Sequence, residues 1–314
     1  MVRPFPHGRR FAFTIMDDTD VATLANVGPI YRLLDQLGFR TTKTVWPVGC
    51  PEGSRDYLES ETLEDGAYLD WVLELKSRGF EIAYHGATME SSTRERTERA
   101  LAMFREHLGE GPRVYANHAH NRENLYWGVE RIDDPVLRAL YRGITRQPSG
   151  YYQGSTPGTP WWWGDLASQV TYIRNLTFSD INTTRHNPSM PYQDPRRPAV
   201  QWWFSASDAD DVRAFNELIA PEAQDRLERE GGACIVATHL GKGFCQGGTV
   251  HRETRRLLER LSAKPGWFVP VGELLDWLRL SRETSPLLPK SEWRRMQWRW
   301  AWDLLARKWR RLRF

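Results

Sequence analysis

The stretch Phe11-Ala12-Phe13-Thr14-Ile15-Met16-Asp17-Asp18 joins a short β-prone run to two adjacent carboxylates. It reads as a strand whose carboxyl end carries both acids. Beyond it, residues 27–37 have helical periodicity and stop at Gly38, and residues 41–48 read as the next strand. The unit recurs: a helix over 68–77 halts at Gly79, a strand covers 80–84, a helix over 92–108 ends at Gly109, and a strand covers 113–117. Farther on come strands over 175–181 and 200–205, a helix over 211–230 ended by Gly231 and Gly232, and a strand over 233–238. Residues 143–198 are rich in Gly, Pro, Ser, Thr and aromatics, which suits long loops laid over a scaffold, a common location of binding determinants. Alternating strands and helices predict an α/β domain over residues 1–280, a distorted barrel of about seven parallel strands, followed by a helical tail over 281–314.

Composition narrows the function. The chain has 314 residues, with 43 Lys plus Arg against 40 Asp plus Glu. That balance is too even for binding driven by phosphate neutralisation, so a nucleic-acid partner is not expected. Cys50, Cys234 and Cys245 are odd in number, far apart and without Cys-x-x-Cys spacing, which points to neither a disulfide framework nor a thiolate zinc site. A reducing, cytoplasmic setting fits. The first residues hold an apolar run too short for a signal-peptide core, and no stretch approaches the roughly 18 apolar residues of a spanning helix.

The chemistry-bearing residues fall at strand ends. Asp17 and Asp18 end one strand, His85 a second, His118 and His120 follow a third, Asp180 lies near the end of a fourth, and His239 ends the last. In a parallel sheet or barrel the carboxyl ends converge on the ligand-binding face, so residues more than 200 positions apart can meet there. Carboxylates and imidazoles without cysteine suit a divalent ion with one position left for water. Side chains alternate along a strand, so Asp17 and Asp18 are expected to point different ways.

At these residues the sequence resembles the polysaccharide deacetylase family with the NodB-homology fold. Thr14-Ile15-Met16-Asp17-Asp18-Thr19 is similar to the family's first motif, Glu81-Ile82-Ala83-Tyr84-His85-Gly86 to its second, and Ile235-Val236-Ala237-Thr238-His239 to its last. The resemblance spans roughly residues 9–280. It implies Asp17 as general base, Asp18 and His85 as metal ligands, and His239 as the acid that protonates the departing amine. The family's second metal-binding His falls here on Met89, and its third motif is replaced by Ala116-Asn117-His118-Ala119-His120-Asn121. His118 or His120, with Glu90 as a weaker candidate, would supply the third ligand, and the implied ion is zinc or another divalent transition metal. Asp180 would orient His239 or Asp17, or start a turn.

The implied function is a metal-dependent deacetylase that removes an N-acetyl or related acyl group from an amino sugar of a cell-surface polysaccharide or its precursor. A non-catalytic carbohydrate-binding relative, and a glycosidase using Asp17 and Asp180 as its carboxylate pair, are the alternatives. Trp162, Trp163 and Trp202 could line a sugar groove or fill a core, and Lys242 could meet an anionic group or stay solvated. In the tail, Trp298, Ala301, Trp302, Leu305, Trp309 and Leu312 form an apolar stripe, with Arg295, Arg299, Arg307, Arg310, Arg311 and Arg313 beside and behind it. Such a helix suits peripheral contact with the inner face of a membrane or packing on the barrel.

Overall fold

The computed structural model describes residues 5–56, 59–148, 150–283 and 285–311, with the backbone alone over 308–311. Strands and helices alternate: β1 (Phe11–Asp17), α1 (Leu24–Gln36), β2 (Thr42–Val45), α2 (Gly66–Ser77), β3 (Glu81–Tyr84), α3 (Arg94–Leu108), β4 (Val114–Tyr115), α4 (Pro135–Thr145), β5 (Tyr172–Phe178), the short α5 (Thr183–His186) and β6 (Trp202–Asp208). Then follow α6 (Val212–Leu218), α7 (Pro221–Glu230), β7 (Ala233–Thr238), the hairpin β8 (Cys245–Gln246) and β9 (Thr249–Val250), α8 (Arg252–Ser262), β10 (Gly266–Trp267), α9 (Val271–Leu280) and α10 (Lys290–Arg311). Strands β1 to β7 are parallel and close into a barrel, because β7 pairs with β1 from Ala12↔Ala233 to Asp17↔Thr238. The other edge of β1 is shared: Phe11 and Ala12 pair with β10, and Met16 and Asp17 pair with β2.

Every residue of β1 is buried, as a strand covered on both faces requires. Its alternate side chains serve two cores. Phe11, Phe13 and Ile15 join the layer beneath the helices, while Ala12 and Met16 face the barrel interior with Ala83, Ala206 and Ala237. Small interior residues let the strands close tightly. Val271, Leu274 and Leu275 of α9 plug the amino-terminal end of the barrel, leaving the carboxyl end for chemistry.

The departures from the sequence reading have local causes. The helix expected over 211–230 is two, because Pro221 starts a new helix and cannot donate into the old one. Strand β5 begins three residues before its expected start, inside the loop-like region. The short β10 carries too few residues to show periodicity.

One face of α10 packs on the barrel. Trp293, Met296 and Trp300 are buried, at a spacing of three and four residues, and Gln297 between them accepts from the backbone of Asp133 and Asp134 at 3.1 and 3.3 Å. Trp309 and Leu312 of the expected stripe, with Arg310, Arg311 and Arg313, lie outside the described side chains. Trp300→Ala should therefore destabilise the protein by about 3–5 kcal/mol through the cavity it leaves. Chemical denaturation measures this, and a change under about 1 kcal/mol would show that α10 docks loosely. Among the described residues, no helix is long and apolar enough to cross a membrane.

Candidate active site

The two acids that end β1 separate as strand alternation demands. Asp17 shares the parity of Phe13 and Ile15 and points outward into the helix layer. Its Oδ2 accepts from Tyr31 of α1 at 3.0 Å and from Lys43 of β2 at 3.2 Å, and its Oδ1 accepts from the Leu240 amide at 2.8 Å. Lys43 is fully buried; burial opposes its charge, but Asp17 holds its pKa above the ordinary lysine value. The Leu240 contact ties Asp17 to the turn that follows His239.

Asp18 has the opposite parity and faces the barrel. Arg174 of β5 donates to both its oxygens, at 2.8 and 2.5 Å. Burial disfavours the Asp18 anion, yet Arg174 more than compensates and holds the carboxyl below its usual range.

The centre of the site is a residue for which the sequence assigned no role, Asp20, two positions beyond Asp18. Its Oδ1 lies 3.0 Å from His85 Nε2, and its Oδ2 lies 3.5 Å from His118 Nε2 and 3.3 Å from His239 Nε2. Three strand ends thus deliver imidazoles to one carboxylate. Burial opposes ionisation of Asp20, but hydrogen bonds from the three rings hold its pKa far below the carboxylate range. The turn that aims it is strained. Val21 adopts φ 53°, which a β-branched residue rarely does, and a Cβ on Gly241 would meet the Val21 carbonyl oxygen at 2.9 Å. Glycine at 241 lets the two turns approach.

The three histidines differ in environment. His85 is buried against Trp46, with ring centroids 4.7 Å apart, and burial pushes its pKa down. Its Nδ1 is buried without a hydrogen-bond partner. Gly86 follows with φ 140°, and a Cβ there would meet Trp46 at 3.0 Å, so this turn also needs glycine. His118 is held from behind: its Nδ1 contacts Asn121 Oδ1 at 2.9 Å, and Asn121 donates to Glu123 at 3.0 Å. Burial lifts the Glu123 carboxyl to about 7. Burial also opposes the charge on His118, but Asp20 raises its pKa overall. His239 sits between two acids, with Nδ1 2.7 Å from the Asp210 carbonyl oxygen and 3.1 Å from its carboxylate. Burial again works against protonation, but Asp20 and Asp210 lift its pKa to about 10.

Other expected residues lie elsewhere. Asp180 pairs with His186 at 3.4 Å and Arg226 at 3.4 Å, so it orients neither Asp17 nor His239; Asp20 and Asp210 do the latter. His120 is exposed two residues beyond His118, 5.6 Å from it between ring centroids. Glu90 is engaged by Arg96 and Ser54. Trp163 is core, packed on Tyr84 and Tyr115, and Trp202 starts β6 at the plugged end of the barrel beside Trp267 and Trp277. Trp162 is exposed with Arg94 over its ring. Lys242 reaches Asp210 at 3.5 Å, on the rim of the site.

The ligand set that the resemblance implies is not assembled as expected: Asp18 gives both oxygens to the Arg174 guanidinium, and His85 and His118 turn Nε2 toward Asp20 instead. Among the described residues, no group of three or more His, Cys, Asp and Glu side chains is arranged to hold a metal ion.

Comparison with known proteins supports the fold. No family model matches the chain, and no curated protein matches it. Solved structures do. A protein assigned as a polysaccharide deacetylase from Mycobacterium smegmatis aligns at 13% identity and a TM-score of 0.50, over 91% of this chain and 96% of its own. The allantoinase PuuE aligns at 13% identity and a TM-score of 0.51, over 90% of this chain and 94% of its own. At such identity the likeness is one of fold.

Proposed function

We propose that this barrel hydrolyses an amide, removing an N-acetyl or related acyl group from an amino sugar of a cell-surface polysaccharide or its precursor. The observation that carries the reading is the convergence of His85, His118 and His239 on Asp20 at the carboxyl mouth of the barrel. Its environments push two of these imidazoles apart in pKa, which is how one site holds an acid and a base at neutral pH. His239 stays protonated up to about 10 and supplies the proton that the leaving amine takes. His85 is kept neutral by burial, which suits the base that takes a proton from the attacking water. Asp20 aligns both rings. The resemblance to the deacetylase family gives the substrate class. The glycosidase alternative loses its geometry, since Asp17 and Asp180 are each locked into separate clusters.

The divalent ion implied by the resemblance is no part of this proposal. Acetate release from oligomers of N-acetylglucosamine tests it, with protein dialysed against a chelator. Release should persist at the undialysed rate, and elemental analysis should find about a tenth of an equivalent of metal or less, because Arg174 already neutralises Asp18, the carboxylate expected to hold the ion. Loss on chelation with recovery on added zinc overturns the metal-free chemistry. New reducing ends without acetate overturn the amide reading itself.

A further inference from the structure

Helix α10 has a second apolar face that the barrel covers only in part. Trp298, the adjacent Ala301 and Trp302, and Leu305 mark it, away from the buried Trp293 and Met296; Trp298, Ala301 and Leu305 are half-buried, and Trp302 is 67% exposed. Helix α4 lies alongside and is unpartnered in the same direction. Leu137, Leu140, Tyr141 and Ile144 mark its apolar face, yet Leu140 is 51% and Ile144 46% exposed. The two faces enclose an open groove of about 710 Å³. Its walls are fixed, because Trp298 and Arg294 of α10 donate to Asp134, the residue that also caps α4.

An apolar face this open on a water-soluble surface marks a contact, and the charge around it indicates which. Helix α4 carries Arg138 and Arg142 and no acid, and Arg146 follows it. On α10, Arg294, Arg295 and Arg299 are exposed. Arg294 pairs with Asp134, Arg138 of α4 pairs with Glu130, and Arg299 donates to the backbone carbonyls of Arg185 and His186, so Arg142, Arg146 and Arg295 supply most of the charge offered to a partner. A second copy of the chain docked by a twofold axis would bring these arginines against one another. Acidic headgroups would instead meet the arginines while tryptophan and the aliphatic side chains enter the interface. The groove also abuts the site: Asp208, which lines it and binds Arg307, ends β6, and two residues later Asp210 holds His239. We propose that the α4–α10 face docks on an anionic lipid bilayer, setting the barrel mouth beside the membrane surface. The inference is independent of the reaction assigned to that mouth.

Sedimentation of the full chain with vesicles tests it. The protein should pellet with mixed phosphatidylglycerol and phosphatidylcholine vesicles and stay in solution with phosphatidylcholine alone, and added salt should weaken pelleting. Leu140→Glu with Ile144→Glu, and separately Trp302→Glu, should each lower apparent affinity about 10-fold or more with melting temperatures kept, since all three side chains are exposed. Leu280→Glu, at an exposed position on α9, is the control and should pellet like the parent. Failure of the parent to pellet, or unchanged pelleting of both variants, overturns the proposal. So does a dimer of the parent that Leu140→Glu with Ile144→Glu converts to monomer, which would assign the face to a second copy.

Discussion

Asp20→Asn is expected to lower acyl release by about 10²–10⁴-fold, the contribution typical of positioned acid–base groups. The amide keeps the shape of the carboxylate but not its charge, so Asp210 alone is left to hold His239 as an imidazolium. The accompanying shift separates this from simple misfolding. His239 has a folded pKa of about 10 against an ordinary 6.5, so its pairing stabilises the fold fully below pH 6.5 and ceases to do so as pH rises through 10. Wild-type melting temperature should therefore fall between pH 6.5 and 10, and the fall should shrink in Asp20→Asn. Histidine resonances followed by NMR should place the His239 titration far lower in the variant. A variant with full activity and an unmoved His239 would remove Asp20 from the centre of the site.

Arg174→Met should cost about 3–5 kcal/mol of stability, because it strands the Asp18 carboxylate without its partner inside the barrel. Arg174 is only 5% exposed, so water cannot take over. Replacing both members, Asp18→Leu with Arg174→Met, should recover much of the loss, since a buried pair exchanged for packed apolar groups is often neutral. Urea unfolding of the single and double variants reads this directly. If the single variant is as stable as the parent, the pair lies in a wetter setting than its geometry indicates. Elemental analysis of Arg174→Met carries a second result. With the guanidinium gone, Asp18 faces His85 Nδ1 across 3.9 Å, and any zinc that the variant retains but the parent does not would identify Arg174 as the residue that excludes it.

The sequence made the barrel legible because each strand end was marked by chemistry as well as by pattern. A β-prone run ending in acids, and others ending in histidine, told both where strands stop and which end of the barrel matters. Strand β5 was misplaced because its flanks carry no contrast: polar Arg174 and Asn175 sit inside the strand, where only the tertiary partners Asp18 and Tyr192 explain them. Three of the four gathered side chains, His85, His118 and His239, were among the candidates. Asp20 was not, although the signal was present as a third acid in Asp17-Asp18-Thr19-Asp20. A residue one turn past a strand has no periodicity to aim it, and here a strained Val21 does the aiming. The direction of Asp17 was open for the same reason: alternation says that two neighbours diverge, and only the helix layer says which of them faces outward.

The contact between Asp17 and the Leu240 amide joins groups 223 residues apart in sequence. Closing a loop of that length carries an entropic cost that is repaid only when β1 and β7 pair, so this seam belongs to the late stages of folding. Because His239 directly precedes Leu240, and Asp20 follows the other side of the seam, the imidazole cluster cannot assemble on a partly folded chain. During synthesis, everything up to α7 can emerge and begin to pack while the site is still absent. The assembled site would then appear in a single step with β7, and the Leu240 amide, protected from hydrogen exchange only once the seam is shut, would report that moment.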